Sequence, residues 1–442
     1  MISDSQLEEL RAYRAAERRL TLTQDPSFSD LVIAGSNERY PVHRWFRFKE
    51  SFSADLLKTV LAEVLSPGTR RIRLLDPFCG VGTSLVASQE LAAHGLDIEA
   101  AGIERNPFIA FCARAKVRWP AIDARRLGPL GEAALEQSDE LNARIPPLSS
   151  LADGCISRET ARRILKIRDA ICGHGDDPTH NALLVGLAAS IEPSSWVRKD
   201  GRMLRLIDRR AAPLMRTLRS RWSDIEADVD FMKQVIETCR VPTVTLGDGR
   251  RPLSHGVAPG SVDVILTSPP YPNAIDYSEV YKLELWLLRF VSTPQEFLTL
   301  RHSTLRSHPT VEDAELSEDL QVALKHHDLG TLLKPLLRKT KRLPKRWRHR
   351  MVLGYVADIW NALREYEQCL RPGGVCVLVV GNSLHGGPSL PYLIPTDLLV
   401  LEAARAIGLE PTKSIVARGL KRRLSGNHFL RESVLVLRKT KR

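Results

Sequence analysis

Apolar residues recur along this chain with two periods, one helical and one strand-like, and the two alternate. Over residues 5–20, and again over SADLLKTVLAEVL (53–65), apolar positions return every three or four residues, which predicts amphipathic helices, the second with Ser53 as N-cap. RIRLLD (71–76) is a short apolar run of the buried-strand kind. A helix is predicted from Thr83 to His94, then a strand at AAGIE (100–104). Residues 121–240 are rich in Arg, Leu, Ala and Glu at helical spacing, broken by Pro146-Pro147 and by GHGDDP (173–178), and predict several helices and few strands. The strand pattern returns in TVTLGD (243–248) and VDVILTS (262–268). After a non-sheet stretch over 291–350 come a helix (353–370), a strand (375–381), a helix (396–407) and two closing strands near 411–418 and 431–438.

Strands alternating with helices predict an α/β fold with a doubly wound, mostly parallel sheet covered on both faces. The two strands at the end predict an antiparallel C-terminal pair, and residues 121–240 a largely helical insertion. The expected organisation is a helical extension (1–42), a first core segment (43–120), the helical insertion (121–240), a second core segment (241–290), a basic insertion (291–350) and a last core segment (351–442).

Composition adds a partner. The 442 residues carry a formal net charge of +12, a surplus that favours a polyanion. Seven scattered cysteines without a CxxC pair argue against a disulfide framework or a zinc site, and no metal is expected. The N-terminal stretch is charged and lacks the apolar region of a signal peptide, and no apolar run nears the roughly 20 residues that span a bilayer. A cytoplasmic protein with no membrane partner is the expectation.

The chemistry concentrates at predicted strand ends. DPFCGVGTS (76–84) places Gly80 and Gly82 where a strand turns into a helix, and glycines there let a backbone approach a ligand and take positive φ. Glu104, at the end of the next strand, stands at the spacing of an acid that accepts from ribose hydroxyls. Asp248 follows a third strand, placed either to accept from the amine of an adenine ring or to make a Gly-Asp-Gly turn. TSPPY (267–271) ends the fourth strand. Two prolines fix a stiff corner, Ser268 and the Pro269 carbonyl supply two acceptors for one amino group, and Tyr271 offers a flat face. An exocyclic nucleobase amine is a poor nucleophile because its lone pair is delocalised; two fixed acceptors can localise that pair for attack on a methyl sulfonium. A base in a duplex must be flipped out to reach such a site.

These stretches resemble the S-adenosyl-L-methionine (AdoMet)-dependent DNA amino-methyltransferase superfamily. DPFCGVGT is similar to its cofactor loop, IERNPF (103–108) to its ribose-binding strand end and TSPPY to its catalytic motif. HRWFRFKESFSADLL (43–57) is similar to the segment flanking the methionine end of the cofactor. The resemblance covers roughly 43–120, 243–290 and 350–440, and implies a Rossmann-like methyltransferase sheet. It implies cofactor contacts at Asp76, Pro77, Phe78, Gly80, Gly82, Thr83, Glu104 and Asp248, with Trp45 and Phe46. Catalysis falls on Ser268, Pro269, Pro270 and Tyr271. A Ser before Pro-Pro-Tyr is associated with cytosine-N4 methylation, and Asp or Asn there with adenine-N6. No cysteine follows a proline, unlike the cytosine-C5 enzymes.

The implied function is a site-specific DNA methyltransferase acting on cytosine N4 in duplex DNA, with a cognate restriction endonuclease as a possible partner. Adenine-N6 methylation, RNA base methylation and an inactive DNA-binding subunit are the alternatives. Candidate DNA contacts lie in both insertions. Residues 331–350 hold nine Lys or Arg and no acid, among them Lys339, Lys341, Arg342, Lys345 and Arg346, with Trp347 placed to stack. SSWVRKDGRMLR (194–205) places Arg198, Lys199, Arg202 and Arg205 about an Asp-Gly turn. Asn427, His428 and Phe429 are further candidates for the base pocket.

Overall fold

The computed structural model describes residues 10–145, 154–173, 175–199, 204–309, 318–343, 345–386, 391–420 and 429–440. Eight strands form the central sheet: β1 (Thr23–Gln24), β2 (Arg71–Asp76), β3 (Asp97–Glu104), β4 (Thr243–Leu246), β5 (Val262–Thr267), β6 (Leu370–Gly381), β7 (Leu409–Gly419) and β8 (Arg431–Lys439). Their order is β1-β7-β8-β6-β5-β2-β3-β4. All pairings are parallel except those of β8, which runs antiparallel between β6 and β7.

Both faces of the sheet's centre are covered, which is why β5, β6 and β8 carry near-continuous apolar runs. Successive residues go to opposite cores. Leu74, Val264, Val377 and Val434 join one cluster; Leu75, Ile265, Leu378 and Leu435 join the other. Each such side chain, nearly inaccessible to solvent, contributes about 2 kcal/mol of burial. The first core continues without a break into the helical insertion through Leu127, Leu165, Leu183 and Trp222. Those residues sit on helices Ala124–Glu140, Arg158–Cys172, Pro178–Ile191 and Leu214–Val235. The second core is closed by helices Leu10–Leu20, His327–Lys341, Arg346–Cys369 and Thr396–Ile407.

Several expectations shift. The helix over 53–65 is Asp55–Val64, and Ser53 accepts from the Asp55 N–H (3.2 Å) from just outside the N-cap position, which Ala54 takes. The helix expected at 353 begins at Arg346, so the basic run is the end of one helix and the start of the next. β6 begins at Leu370, before Pro372; the register to β5 shifts there, and a proline is tolerated where the ladder is interrupted. Strand β1, the pair Ser383–His385 with Tyr392–Ile394, and the pair Val197–Lys199 with Leu204–Leu206 were not read from the pattern; at two or three residues each they are too short to show a period. Among the described residues no helix is long and apolar enough to cross a membrane.

Candidate active site

β2 lies between β3 and β5, so the chain crosses the sheet in opposite directions from that point, and a crevice opens beyond the carboxyl ends of these strands. It holds a cleft of about 280 Å³. Asp76, Phe78, Gly80, Thr83, Glu104 and Asp248 line it, and so do Ser268, Pro269, Pro270 and Tyr271. The glycine loop and the Ser-Pro-Pro-Tyr corner thus share one cavity. They are also joined directly: the Phe78 N–H donates to Thr267 Oγ1 (3.2 Å), whose hydroxyl donates to Asp76 (2.7 Å).

The loop is shaped by backbone demands. Gly80 (φ +51°) and Gly82 (φ +82°) take left-handed conformations, and a Cβ on Gly80 would lie 2.9 Å from the Phe48 ring. Glu104 accepts from the N–H groups of Gly80 (3.1 Å) and Asn106 (2.7 Å), which leaves lone pairs on both oxygens. Burial raises its pKa to about 7 against those backbone bonds. Asp76 accepts from Ser84, Thr267 and the Phe78 N–H, and burial raises it to about 6. Its bonds tie the glycine loop to β5. Asp248 is held in a two-pronged pair by Arg250, which also binds Asp358 (2.9 Å). Burial works against the Asp248 carboxylate, but Arg250 outweighs it and the pKa is lowered.

Some predicted contacts move elsewhere. Pro77 and Gly82 do not line the cleft. The Pro77 carbonyl presses on Gly249, where a Cβ would come within 1.8 Å, and Gly82 packs on Ala113. Trp45 and Phe46 are buried below it: Trp45 Nε1 donates to Asp228 (3.0 Å), and Phe46 packs edge-on against Phe108 (5.1 Å). The same segment reaches the cleft slightly later, through Phe48, Lys49, Glu50, Ser51 and Phe52. These residues belong to the same stretch, just past Trp45 and Phe46. Glu50 is of interest because Oε2 accepts from Tyr281 (2.7 Å) while its buried Oε1 has no partner among the described residues. Burial raises its pKa.

At the corner, Tyr271 is fixed on two sides. Its hydroxyl donates to Glu432 (2.7 Å), and its ring covers Gly381, where a Cβ would lie 2.6 Å from ring carbons. Ser268 Oγ is 3.4 Å from the Tyr271 hydroxyl. Burial, then the Glu432 charge, pushes the phenol well above its ordinary value.

The candidate DNA contacts divide. Arg198, Lys341, Arg342, Lys345 and Arg346 are exposed. Lys199 is not available to a phosphate: it is buried, bound to Glu284, and lies over the rings of Phe46 (5.0 Å) and Tyr281 (4.7 Å). Lys339 is likewise buried, on the inner face of its helix. Trp347 packs against the second core with the Arg348 guanidinium over its ring (5.3 Å). Phe429 is in the core, edge-on to Tyr13 (6.1 Å), and does not line the cleft. Arg202, Asn427 and His428 lie outside the described residues.

No family model matches the chain. Curated relatives do. Type II methyltransferase M.AvaI, from a Nostoc strain and from Anabaena variabilis, is 27% identical over 99% of this chain and 95% of that protein. Type II methyltransferase M.BsoBI from Geobacillus stearothermophilus is 24% identical over 92% of this chain and 88% of that protein. Among solved structures, the rRNA methyltransferase aviRa from Streptomyces viridochromogenes overlays 90% of this chain and 85% of that one at 12% identity and a TM-score of 0.29, too loose an overlay to carry an argument.

Proposed function

We propose, on the premise that this chain is a member of the AdoMet-dependent DNA methyltransferase superfamily, that it methylates the exocyclic N4 amine of cytosine flipped out of duplex DNA. The observation that carries the reading is the single cleft shared by Gly80, Glu104, Ser268 and Tyr271.

The cleft fits AdoMet. Glu104 keeps free lone pairs for ribose hydroxyls beside the glycine loop. The unpartnered Glu50 oxygen supplies an acceptor for the ammonium of a zwitterionic tail. When bound, AdoMet supplies an electrophilic methyl group. The rest falls to this chain's residues. Ser268 Oγ and the Pro269 carbonyl accept the two amine hydrogens and hold the nitrogen lone pair out of the ring plane; the proton that the nitrogen sheds on gaining the methyl group leaves to solvent. Tyr271 carries the base on its face. Pro269 and Pro270 keep the acceptors from relaxing, so little reorganisation is needed at the moment of transfer. Ser268, where other members have Asp or Asn, supports cytosine N4 over adenine N6.

The exposed cations Lys341, Arg342, Lys345, Arg346 and Arg198 are the phosphate contacts of this reading. A cognate restriction endonuclease fits the type II naming of the relatives. The test is to incubate the protein with labelled AdoMet and mixed-sequence duplex and identify the methylated nucleoside. N4-methylcytosine is expected. Label found only in N6-methyladenine, or faster methylation of RNA than of DNA, overturns the assignment.

A further inference from the structure

The C-terminal strand pair does more than close the sheet. Arg418 of β7, Glu432 of β8 and Gly381 of β6 are register partners, so they form one row across three neighbouring strands. The row ends at the Ser-Pro-Pro-Tyr corner. Gly381 gives the Tyr271 ring a floor with no side chain. Glu432 Oε1 accepts the Tyr271 hydroxyl (2.7 Å), and its Oε2 accepts from Arg418 Nε (2.6 Å). Glu432 is buried, and both it and Arg418 line the cleft.

A buried carboxylate without a partner would be costly. The Arg418 guanidinium fixes the orientation of Glu432, because the two side chains project from paired positions and are directly bonded. A fixed, oriented acceptor directs the Tyr271 hydroxyl and removes the ring's freedom to swing about its Cα–Cβ bond. The ring's plane is then set from below by Gly381 and at its tip by Glu432. Tyr271 donates to Glu432, so its oxygen is free to receive the Ser268 hydroxyl hydrogen. Ser268 Oγ, 3.4 Å away, is thereby turned so that its lone pairs face the cleft as acceptors.

We propose that Glu432, held by Arg418, is a positioning residue for methyl transfer: through the Tyr271 hydroxyl it sets the plane on which the target base rests and the direction in which Ser268 accepts. The proposal rests on the methyltransferase reading above and deepens it. The role belongs to the transfer step and not to cofactor binding, because Glu104 and the glycine loop are separate from this row.

The test uses the full chain, saturating labelled AdoMet and unmodified plasmid DNA, with enzyme in excess, so that a single round of transfer is followed. AdoMet affinity is measured in parallel by calorimetry. Tyr271→Phe and Glu432→Leu should each slow transfer roughly 10- to 100-fold, with AdoMet affinity within about twofold of wild type. Glu432→Gln, which keeps an acceptor oxygen, should recover part of that loss. The Tyr271→Phe/Glu432→Leu double variant should be no slower than the slower single, since both changes break one linkage. If the unpaired Arg418 prevents Glu432→Leu from folding, Glu432→Gln replaces it in the same cycle, and the double variant must then match Tyr271→Phe alone. A wild-type rate in Tyr271→Phe, or losses that multiply, overturns the proposal. A wild-type protein that transfers no methyl to DNA overturns the methyltransferase reading and this inference with it; an active wild type indifferent to these substitutions overturns the inference alone.

Discussion

Two carboxylates in the cleft look alike in sequence and differ in environment. Burial raises Glu104 to about 7 and Asp76 to about 6, because their backbone and hydroxyl donors do not fully replace water. A folded-state pKa above the unfolded value means that the native protein holds the proton more tightly. The two groups therefore favour the fold most at acidic pH, and that contribution declines as pH rises through about 6 and 7. Ribose hydroxyls donate to the ionised form, so AdoMet affinity should rise with pH toward 7 by up to about tenfold per unit and level off above it. Calorimetry across buffers checks this, and Glu104→Gln should flatten the profile. Gly381→Ala is the companion change at the corner. Its methyl would meet the Tyr271 ring, and transfer should slow by roughly 10-fold or more while AdoMet affinity is kept. Glu104 was legible from its spacing to the loop. Gly381 and Glu432 were not, since nothing in Val-Val-Gly or Arg-Glu-Ser says which ring or hydroxyl lies beside them.

Alternation along one short strand separates two basic neighbours at the scale of an element. Val197 and Lys199 point inward and Arg198 outward, which three residues are too few to reveal as a pattern. Lys199 pairs with Glu284 between aromatic rings, joining the helical insertion to the segment under the cleft. Lys199→Ala strands a buried carboxylate and should cost about 3 kcal/mol of stability, read by denaturant unfolding. Arg198→Ala should leave stability within about 0.5 kcal/mol of wild type and weaken DNA binding instead. The basic segment divides in the same way. Each neutralisation of Lys341, Arg342, Lys345 or Arg346 should reduce the slope of log affinity against log salt by about 0.9, by fluorescence anisotropy on duplex DNA. Lys339→Ala should leave that slope alone, since its side chain is buried in the helix His327–Lys341. Charge density along the chain favours a polyanion partner; the structure separates the exposed cations from the buried Lys339.

The whole molecule brings together chain segments far apart in sequence. The cleft takes residues from 32–52, 76–109, 248–249, 268–305 and 418–432, so a ligand there bridges nearly the whole fold. AdoMet at about 100 times its dissociation constant should stabilise the protein by about 2.7 kcal/mol. Hydrogen exchange should slow at the ends of β2, β3 and β5 together, and protection confined to the glycine loop alone would contradict a shared site. By itself the sequence determined the alternation of strands and helices, the glycine loop, the proline corner and the basic surplus, because each is written in local spacing, backbone restriction or charge. Only the tertiary structure decided which aromatic residues of 43–57 face the cleft, which lysines are buried, and that a row across the C-terminal strands braces Tyr271. Those depend on register and packing between distant segments, and local pattern does not carry that information.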